Sequence, residues 1–445
     1  MVRHAKPKPA ERAFDKPSPR RPPKPTTAPR EQPSPRRPPK PAMPPREQPV
    51  RPLAGAEGLP VVSLPAHLAE SLSQGHPWVY RDHVPPGFSA ENGSFVQLRA
   101  GGLNAIALWD DSSPIALRVF SRVAVPDAAW VSTRVEQALA LRRDLRERDT
   151  TAFRLLYGEG DGVPGLTVDV YDRYAVIVTY ASALGRIVPW VVEALSRALP
   201  LDGVLQRRRT RDEEERVVVL RGSAPDGPVL VREYGVRFLA DLRAGQKTGL
   251  FLDHRDNRAW LREHARGLSV LNLFSYTGGF SVCAALGGAK HVVSVDIAPQ
   301  AVAAARQNFA ENQLPEELHE AVASDVFEYL EQCKAAQRRF DCIVCDPPSF
   351  APSRDKQYAA LRAYTRLNAL GMSVVTPGGF YAAASCTAQV SPEAFRGTLA
   401  EAAERARVRF QIIHDVGQPS DHPVFAGHPE GRYLKFVVGR VLARY

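Results

Sequence analysis

The chain is 445 residues long, enough for two or three domains, and no run approaches the ~18 consecutive apolar residues of a membrane-spanning helix. Its net charge of +10 is concentrated at one end: residues 1–58 hold 14 Lys/Arg against 5 Asp/Glu, while the remainder holds 44 against 43. Five cysteines, all between Cys283 and Cys386, give no disulfide framework, and the basic N-terminus has no apolar segment behind it, so a cytoplasmic protein without signal peptide or membrane contact is expected.

Residues 1–58 also contain 17 of the 39 prolines and repeat themselves at a fixed offset, PSPRRPPKP at 17–25 and 33–41, PREQP at 29–33 and 45–49. A stretch this poor in apolar residues cannot bury a core and is expected to be disordered, in part polyproline II. Its cations suit a non-specific tether to a polyanion through phosphate neutralisation; a solubilising extension is the plainer alternative.

From Leu59 the pattern becomes globular. Residues 59–84 read as a strand, a short helix and a second strand opening at Gly75-His76-Pro77-Trp78; FVQLRA (95–100), AIALWD (105–110) and PIALRVF (114–120) follow. Short strands between Gly and Pro predict a small β-rich domain over 59–125. A helix near 127–148 leads into a central α+β domain over 126–235. Within it, residues 154–180 read as two strands around an Asp-Arg turn, followed by a helix at 185–198 and strands at 203–208 and 216–222. The charge run RRRTRDEEER (207–216) reads as a solvated hairpin tip rather than an RNA-contacting patch.

After Tyr234 strands and helices alternate, which predicts a parallel sheet covered by helices on both faces over 236–445. Its strands are LSVLNLF (268–274), HVVSVDI (291–297), the stretch before Ser324-Asp325, FDCIVCD (340–346) and GGFYAAAS (378–385). The fold class is α/β: a Rossmann-like domain preceded by the small β-rich domain and the α+β linker domain. In such sheets the ligand lies outside the carboxyl ends of the strands, so the residues there carry the chemistry.

The first strand runs into Asn272-Leu273-Phe274-Ser275-Tyr276-Thr277-Gly278-Gly279. This is not G-x-G-x-x-G, and a nicotinamide cofactor is disfavoured. Two adjacent glycines still let a smaller group, such as an amino-acid carboxylate, approach closely. Asp296 ends the second strand where two ribose hydroxyls would need an acceptor, and Asp325 ends the third where an exocyclic adenine amine would. Adenosine with an amino-acid tail and no phosphate is S-adenosylmethionine. Singly, each acid is equally a helix N-cap; in order on successive strand ends they favour the cofactor.

Asp346 ends the fourth strand and is locked to Pro347 and Pro348, while Cys386 follows the fifth. Neighbouring strands bring both to one crevice. Cys342 and Cys345 mimic C-x-x-C, but residues three apart on a strand point to opposite faces, so no metal is expected. Cys283 and Cys333 fall in helices as small core residues. A thiolate at Cys386 beside a methyl donor suggests cytosine C5 methylation: addition at C6 makes an enamine whose C5 can attack the methyl group, and loss of the C5 proton then releases the thiol. Asp346 would hold the polar edge of the base. The base that takes the C5 proton is not identified.

These residues sit in longer stretches: GHPWVYR (75–81), GEGDGVPGLTVDVY (158–171), GQKTGLFLDHRDNR (245–258), VLNLFSYTGGFSV (270–282), CDPPSFAPS (345–353), ASCTAQV (384–390) and DHPVFAGHPEGRYLK (421–435). Together they resemble the bacterial 23S ribosomal RNA cytosine-C5 methyltransferases built from a PUA domain, a linker domain and a Rossmann-like methyltransferase domain. The resemblance covers nearly everything after Leu59. It implies S-adenosylmethionine, an RNA base as substrate and a nucleophilic cysteine matching Cys386, and it implies that Asp253 and Arg255 line the cofactor side of the cleft. The oligomeric state stays open, a homodimer among the options. Related enzymes with Asp-Pro-Pro-aromatic loops methylate base nitrogens of guanine or adenine, stacking the base on the aromatic residue; here Ser349 displaces Phe350 by one position, and Cys386 would be unexplained. A non-catalytic PUA-type RNA-binding protein is a further alternative, opposed by the acids at the strand ends.

Overall fold

The computed structural model describes residues 53–208, 216–350 and 356–443. Most of the Pro-rich N-terminal segment and the middle of the 207–216 charge run lie outside them.

The β-rich domain is a five-stranded sheet ordered β1-β3-β4-β5-β2, from β1 (Val61–Ser63), β2 (Trp78–Tyr80), β3 (Phe95–Ala100), β4 (Leu103–Trp109) and β5 (Ile115–Ser121), with α1 (Leu68–Ser73) between the first two. The alternation in β3 and β4 divides its apolar residues between two cores. Val96, Leu98 and Ala107 close one under α1, while Phe95, Ile106 and Leu108 join a core shared with the linker domain. The expected tail ends earlier than residue 58. Leu53 and Ala56 are buried, Ala54 bridges Ala124, and the Ala56 carbonyl accepts from Gln97, so this segment is held by the sheet it precedes.

The linker domain packs α2 (Ala128–Leu141), the short α3 (Arg143–Glu147) and α4 (Val188–Ala198) against a sheet ordered β10-β9-β8-β7-β6. Its strands are β6 (Ala152–Tyr157), β7 (Leu166–Tyr171), β8 (Tyr174–Thr179), β9 (Gly203–Arg208) and β10 (Arg216–Gly222). Residues 154–180 thus contribute to three strands rather than two. Gly158, Gly162 and Gly165 all take positive φ, breaking the chain between β6 and β7 into a turn that the continuous β-type composition conceals. All of β7 is buried, since Leu166, Val168 and Val170 face the helices while Thr167, Asp169 and Tyr171 face the next domain. Arg207, read as part of a solvated tip, is buried and donates to the Gly245 carbonyl at 2.7 Å.

A hairpin of β11 (Val229–Glu233) and β12 (Val236–Ala240) follows, turning through Tyr234 and Gly235, both with positive φ. The boundary expected at 235/236 therefore falls inside one hairpin, whose Val231 and Phe238 belong to the core of the third domain.

That domain is a seven-stranded sheet ordered β15-β14-β13-β16-β17-β19-β18. Its strands are β13 (Ser269–Leu273), β14 (His291–Asp296), β15 (His319–Ala323), β16 (Phe340–Cys345), β17 (Val375–Ser385), β18 (Val408–Val416) and β19 (Lys435–Ala443). The first five are parallel; β19 inserts antiparallel between β17 and β18. The helices are α5 (Arg255–His264), α6 (Gly279–Leu286), α7 (Pro299–Glu311), α8 (Val326–Ala335), α9 (Gln357–Ser373) and α10 (Pro392–Arg405). Cys342 faces one helical layer and Cys345 the other, as their spacing predicts. The chain reverses direction across the sheet between β13 and β16, so the crevice opens above those two strands.

Candidate functional site

The loop after β13 is bent into an unusual path: Phe274, Tyr276 and Gly278 all have positive φ, rare for the two aromatic residues and costly unless the surroundings enforce it. Contacts supply that enforcement. The Tyr276 amide donates to Asp296 Oδ2 at 2.8 Å, the Tyr276 hydroxyl accepts from the Gln246 amide, and Asn308 of α7 donates to the Thr277 carbonyl. Asp296 takes a second backbone donor, Ala298, on Oδ1, so each oxygen keeps a further acceptor site. Asp325 caps α8, its Oδ1 accepting from Phe327 and Glu328. Beside Asp296, Ile297 is 71% exposed, an apolar surface at the mouth of the crevice.

Two strands away, Asp346 follows β16, and Cys386 follows the neighbouring β17. Asp346 Oδ2 lies 3.2 Å from His254 Nε2. His254 is buried edge-on against the stacked rings of Phe280 and Phe436, and its Nδ1 accepts from the Asn257 amide at 3.0 Å, which leaves Nε2–H to donate toward Asp346. Cys386 is held on both sides. Tyr364 OH bonds Ser385 and Thr387, and Ser349 bonds Thr387 at 3.0 Å. Cys386 is partly exposed; the other four cysteines are buried. Burial pushes the thiols of Cys283, Cys342 and Cys345 up to about 12. Burial and Asp346 push Cys386 up to about 11, with Lys247 and Lys435 pulling the other way.

Cys386 opens into a cavity of about 740 Å³ whose walls come from all three domains, among them Trp78, Thr167, Tyr180, Lys247, Asp253 and Tyr433. Asp253 Oδ2 accepts from Lys247 at 2.7 Å and from the Tyr433 hydroxyl. Burial opposes its charge, but Lys247, His254 and His422 hold its carboxyl well below the usual range. Glu159 accepts from the Trp78 indole at 2.8 Å and from the Gly165 amide, pinning the β-rich domain to the rim.

Residues 192–429 match the family model of S-adenosylmethionine-dependent methyltransferases, and residues 62–122 match a PUA-like domain. The chain is 35% identical over 383 residues to ribosomal RNA large subunit methyltransferase I of Shewanella frigidimarina, covering 83% of this chain and 96% of that protein. It is 37% identical to a ribosomal RNA large subunit methyltransferase of Deinococcus radiodurans, covering 82% and 93%. It superposes on a methyltransferase solved with SAH with a TM-score of 0.77 at 26% identity, covering 86% of this chain and all of that one. The chain belongs to this S-adenosylmethionine-dependent methyltransferase family.

The crevice fits the cofactor of that family on its own chemistry. Ser275 Oγ, in the bent loop, is buried and has no hydrogen-bond partner among the described residues, and Asp296 keeps free acceptor sites beside the exposed Ile297. The glycines expected to admit the ligand are used differently. A Cβ on Gly278 would meet that of Ala305 at 2.8 Å, and one on Gly279 would meet Arg258 at 3.1 Å, so their smallness serves helix packing as well as the turn. Three other candidates turn away from the opening. Asn272 donates to Ser281 of α6 in a buried chain continuing through Ser294 to His319. Arg255 makes a bidentate buried pair with Asp421 at 2.8 Å, because the start of α5 aims it at the linker domain. Phe350 packs on Tyr364 with ring centroids 4.9 Å apart, leaving Ser349 on the cavity wall; Pro347 is buried and Pro348 exposed. Sequence reasoning passed over His254, Lys247, Tyr433 and Lys435, although all four lie in the stretches that carried the resemblance.

Asp296→Ala in this methyltransferase should weaken S-adenosylmethionine binding by about 1–3 kcal/mol, the cost of leaving donors unpaired in a partly buried site. Titration calorimetry measures it, and unchanged affinity would remove Asp296 from the site.

Proposed function

We propose that the protein methylates C5 of a cytosine in 23S ribosomal RNA, using Cys386 as a covalent nucleophile. The observation that carries this reading is the partly exposed Cys386 thiol, opening into a cavity walled by the PUA-like, linker and methyltransferase domains. A base extruded from RNA fits such a pocket, and the RNA substrate is supported by the names of the relatives.

S-adenosylmethionine, when bound over the β13 loop, supplies the methyl group to a carbon nucleophile. The chain's own residues do the rest. Asp296 receives the ribose hydroxyls, and Asp325 retains Oδ2 for the adenine amine. Asp346, oriented by His254, accepts from the exocyclic amine of cytosine and so presents C6 to Cys386. Tyr364 and Ser349 fix the backbone around the thiol. Nucleoside analysis of RNA methylated in vitro tests the reading: 5-methylcytidine is expected, and an N-methylated guanosine or adenosine would overturn it.

The basic N-terminal segment acts in this reading as a phosphate tether. Deleting residues 1–50 should leave cofactor binding intact, flatten the salt dependence of RNA binding and weaken it at low salt. Equal salt slopes for the two forms would leave only a solubilising role. Deletion through residue 58 should in addition lower stability, since it removes the buried Leu53 and Ala56.

A further inference from the structure

We propose that Lys435 is the counter-ion of the Cys386 thiolate, a positioning residue that stays protonated through the reaction and holds the sulfur ready to attack. The inference rests on the covalent reading above and adds the group that makes the thiol usable.

Lys435 is only 3% exposed, and lysines are almost never buried without an anion. Among the described residues it forms no ion pair with a carboxylate, in contrast to Lys247, paired with Asp253, and Lys290, paired with Asp341. Two of its three N–H donors are taken by backbone carbonyls, Thr387 at 2.6 Å and Tyr433 at 2.7 Å. The first of these belongs to the residue after Cys386. Across the β17–β19 ladder, Lys435 pairs with Ser385, the residue before Cys386. The Lys435 backbone thus pairs with the residue before the thiol while its ammonium bonds the residue after it, with one donor left over.

The other charged and titratable groups around the thiol are Asp346 at the end of β16, Lys247 and Asp253 before α5, and Tyr364 on α9. The carboxylates oppose a thiolate, and Lys247 is committed to Asp253. That leaves Lys435 as the cation available to offset burial. Burial in turn pulls the Lys435 ammonium down to about 8, with Cys386 acting in the opposite direction.

In the addition step the thiol proton leaves to water in the cavity, and the sulfur lone pair forms the bond to C6. The displaced C5–C6 electrons would form the bond to the methyl carbon as its bond to the sulfonium sulfur breaks, leaving S-adenosylhomocysteine. Water would then take the C5 proton, the C5–H electrons would restore the double bond, and the C–S electrons would return to sulfur on the side of the Lys435 ammonium.

Iodoacetamide alkylation of Cys386 in the full-length, RNA-free protein, followed by mass spectrometry across pH, tests the pairing without any methyl transfer. In the native protein the logarithm of the rate should rise with pH, level off near 8 as Lys435 loses its proton, and rise again toward 11. Lys435→Gln keeps a donor for the carbonyls but removes the charge; it should abolish the level region and slow alkylation at neutral pH about tenfold or more. Lys435→Arg keeps a charge that does not titrate, so it should show a single rise without the level region near 8 and alkylate at neutral pH at least as fast as the native protein. A single-step profile in the native protein, or native rates in a Lys435→Gln protein that still binds S-adenosylmethionine, would overturn the proposal. Should the variant not fold, the native profile alone decides. Trapping on RNA tests the covalent reading separately: a native protein that shows the two-step profile but never traps RNA sinks that reading and leaves the ion pair standing.

Discussion

Cys386→Ala should abolish methyl transfer, by about 10³-fold or more, while leaving S-adenosylmethionine binding unchanged. The reason for the separation is positional. Asp296 and the loop after β13 lie across β16 from Cys386, and among the described residues the side-chain hydrogen bonds of this loop run to Gln246, Asp296 and Asn308 rather than to residues 385–387. RNA carrying 5-fluorocytosine should trap the native protein as an adduct that survives denaturation and carries the transferred methyl group, because fluorine cannot leave as the C5 proton does. Cys386→Ala should not trap. Cys342→Ala and Cys345→Ala should trap normally, since both thiols are buried in the layers on either side of the sheet and their loss costs only packing. Near-normal turnover by Cys386→Ala would end the covalent mechanism, and Asp346 would then be reread as the amine acceptor of a nitrogen methyltransferase.

The second large effect is on stability. Asp421 Oδ1 and Oδ2 hold the Arg255 guanidinium, Oδ2 also accepts from the Arg154 amide, and the Asp421 carbonyl accepts from Arg142. Arg142 and Arg154 belong to the linker domain and Arg255 to the methyltransferase domain, so one buried aspartate ties the two together. Asp421→Asn removes the bidentate carboxylate from the buried Arg255, leaving Asp256 3.5 Å from Nε, and should cost about 3–5 kcal/mol, read as a lower denaturation midpoint in urea. Replacing both partners, Asp421→Leu with Arg255→Leu, should cost much less, because no orphaned charge remains. Burial works against the Asp421 carboxylate, but His422 and Arg255 overcome it and hold the carboxyl far below its usual range. A depressed folded-state pKa stabilises the protein above the unfolded value near ~3.9 and loses that contribution as pH falls below it. The native protein should therefore lose stability steeply below about pH 4, and Asp421→Asn should flatten that slope. Equal acid sensitivity in both would show that other carboxylates dominate.

Much of the fold is legible in local sequence. The alternation of LSVLNLF, HVVSVDI and FDCIVCD with amphipathic helices predicts the parallel strands and places Asp296, Asp346 and Cys386 at their ends, because a strand's register fixes which residue comes last. The misreadings share a cause. Leu53 and Ala56 look like part of a Pro-rich tail because nothing adjacent in sequence is apolar enough to cover them; their cover is β3 and the shared core, more than forty residues away. Gly158, Gly162 and Gly165 conceal a strand break because glycine's conformation depends on what it packs against.

The sequence by itself determined the strand-end acids, the Asp-Pro-Pro turn, the spacing that separates Cys342 from Cys345, and the thiol after the fifth strand. These follow from bond geometry and side-chain alternation over a few residues. Only the tertiary structure decided the partners: Asp421 for Arg255, His254 for Asp346, Tyr364 for Phe350, and Lys435 beside Cys386. Charges and hydrogen bonds act over a few ångströms of space regardless of chain separation, and Arg255 and Asp421 stand 166 residues apart. Whether a side chain faces the crevice or a domain junction is set by which distant element arrives beside it, and no local pattern records that.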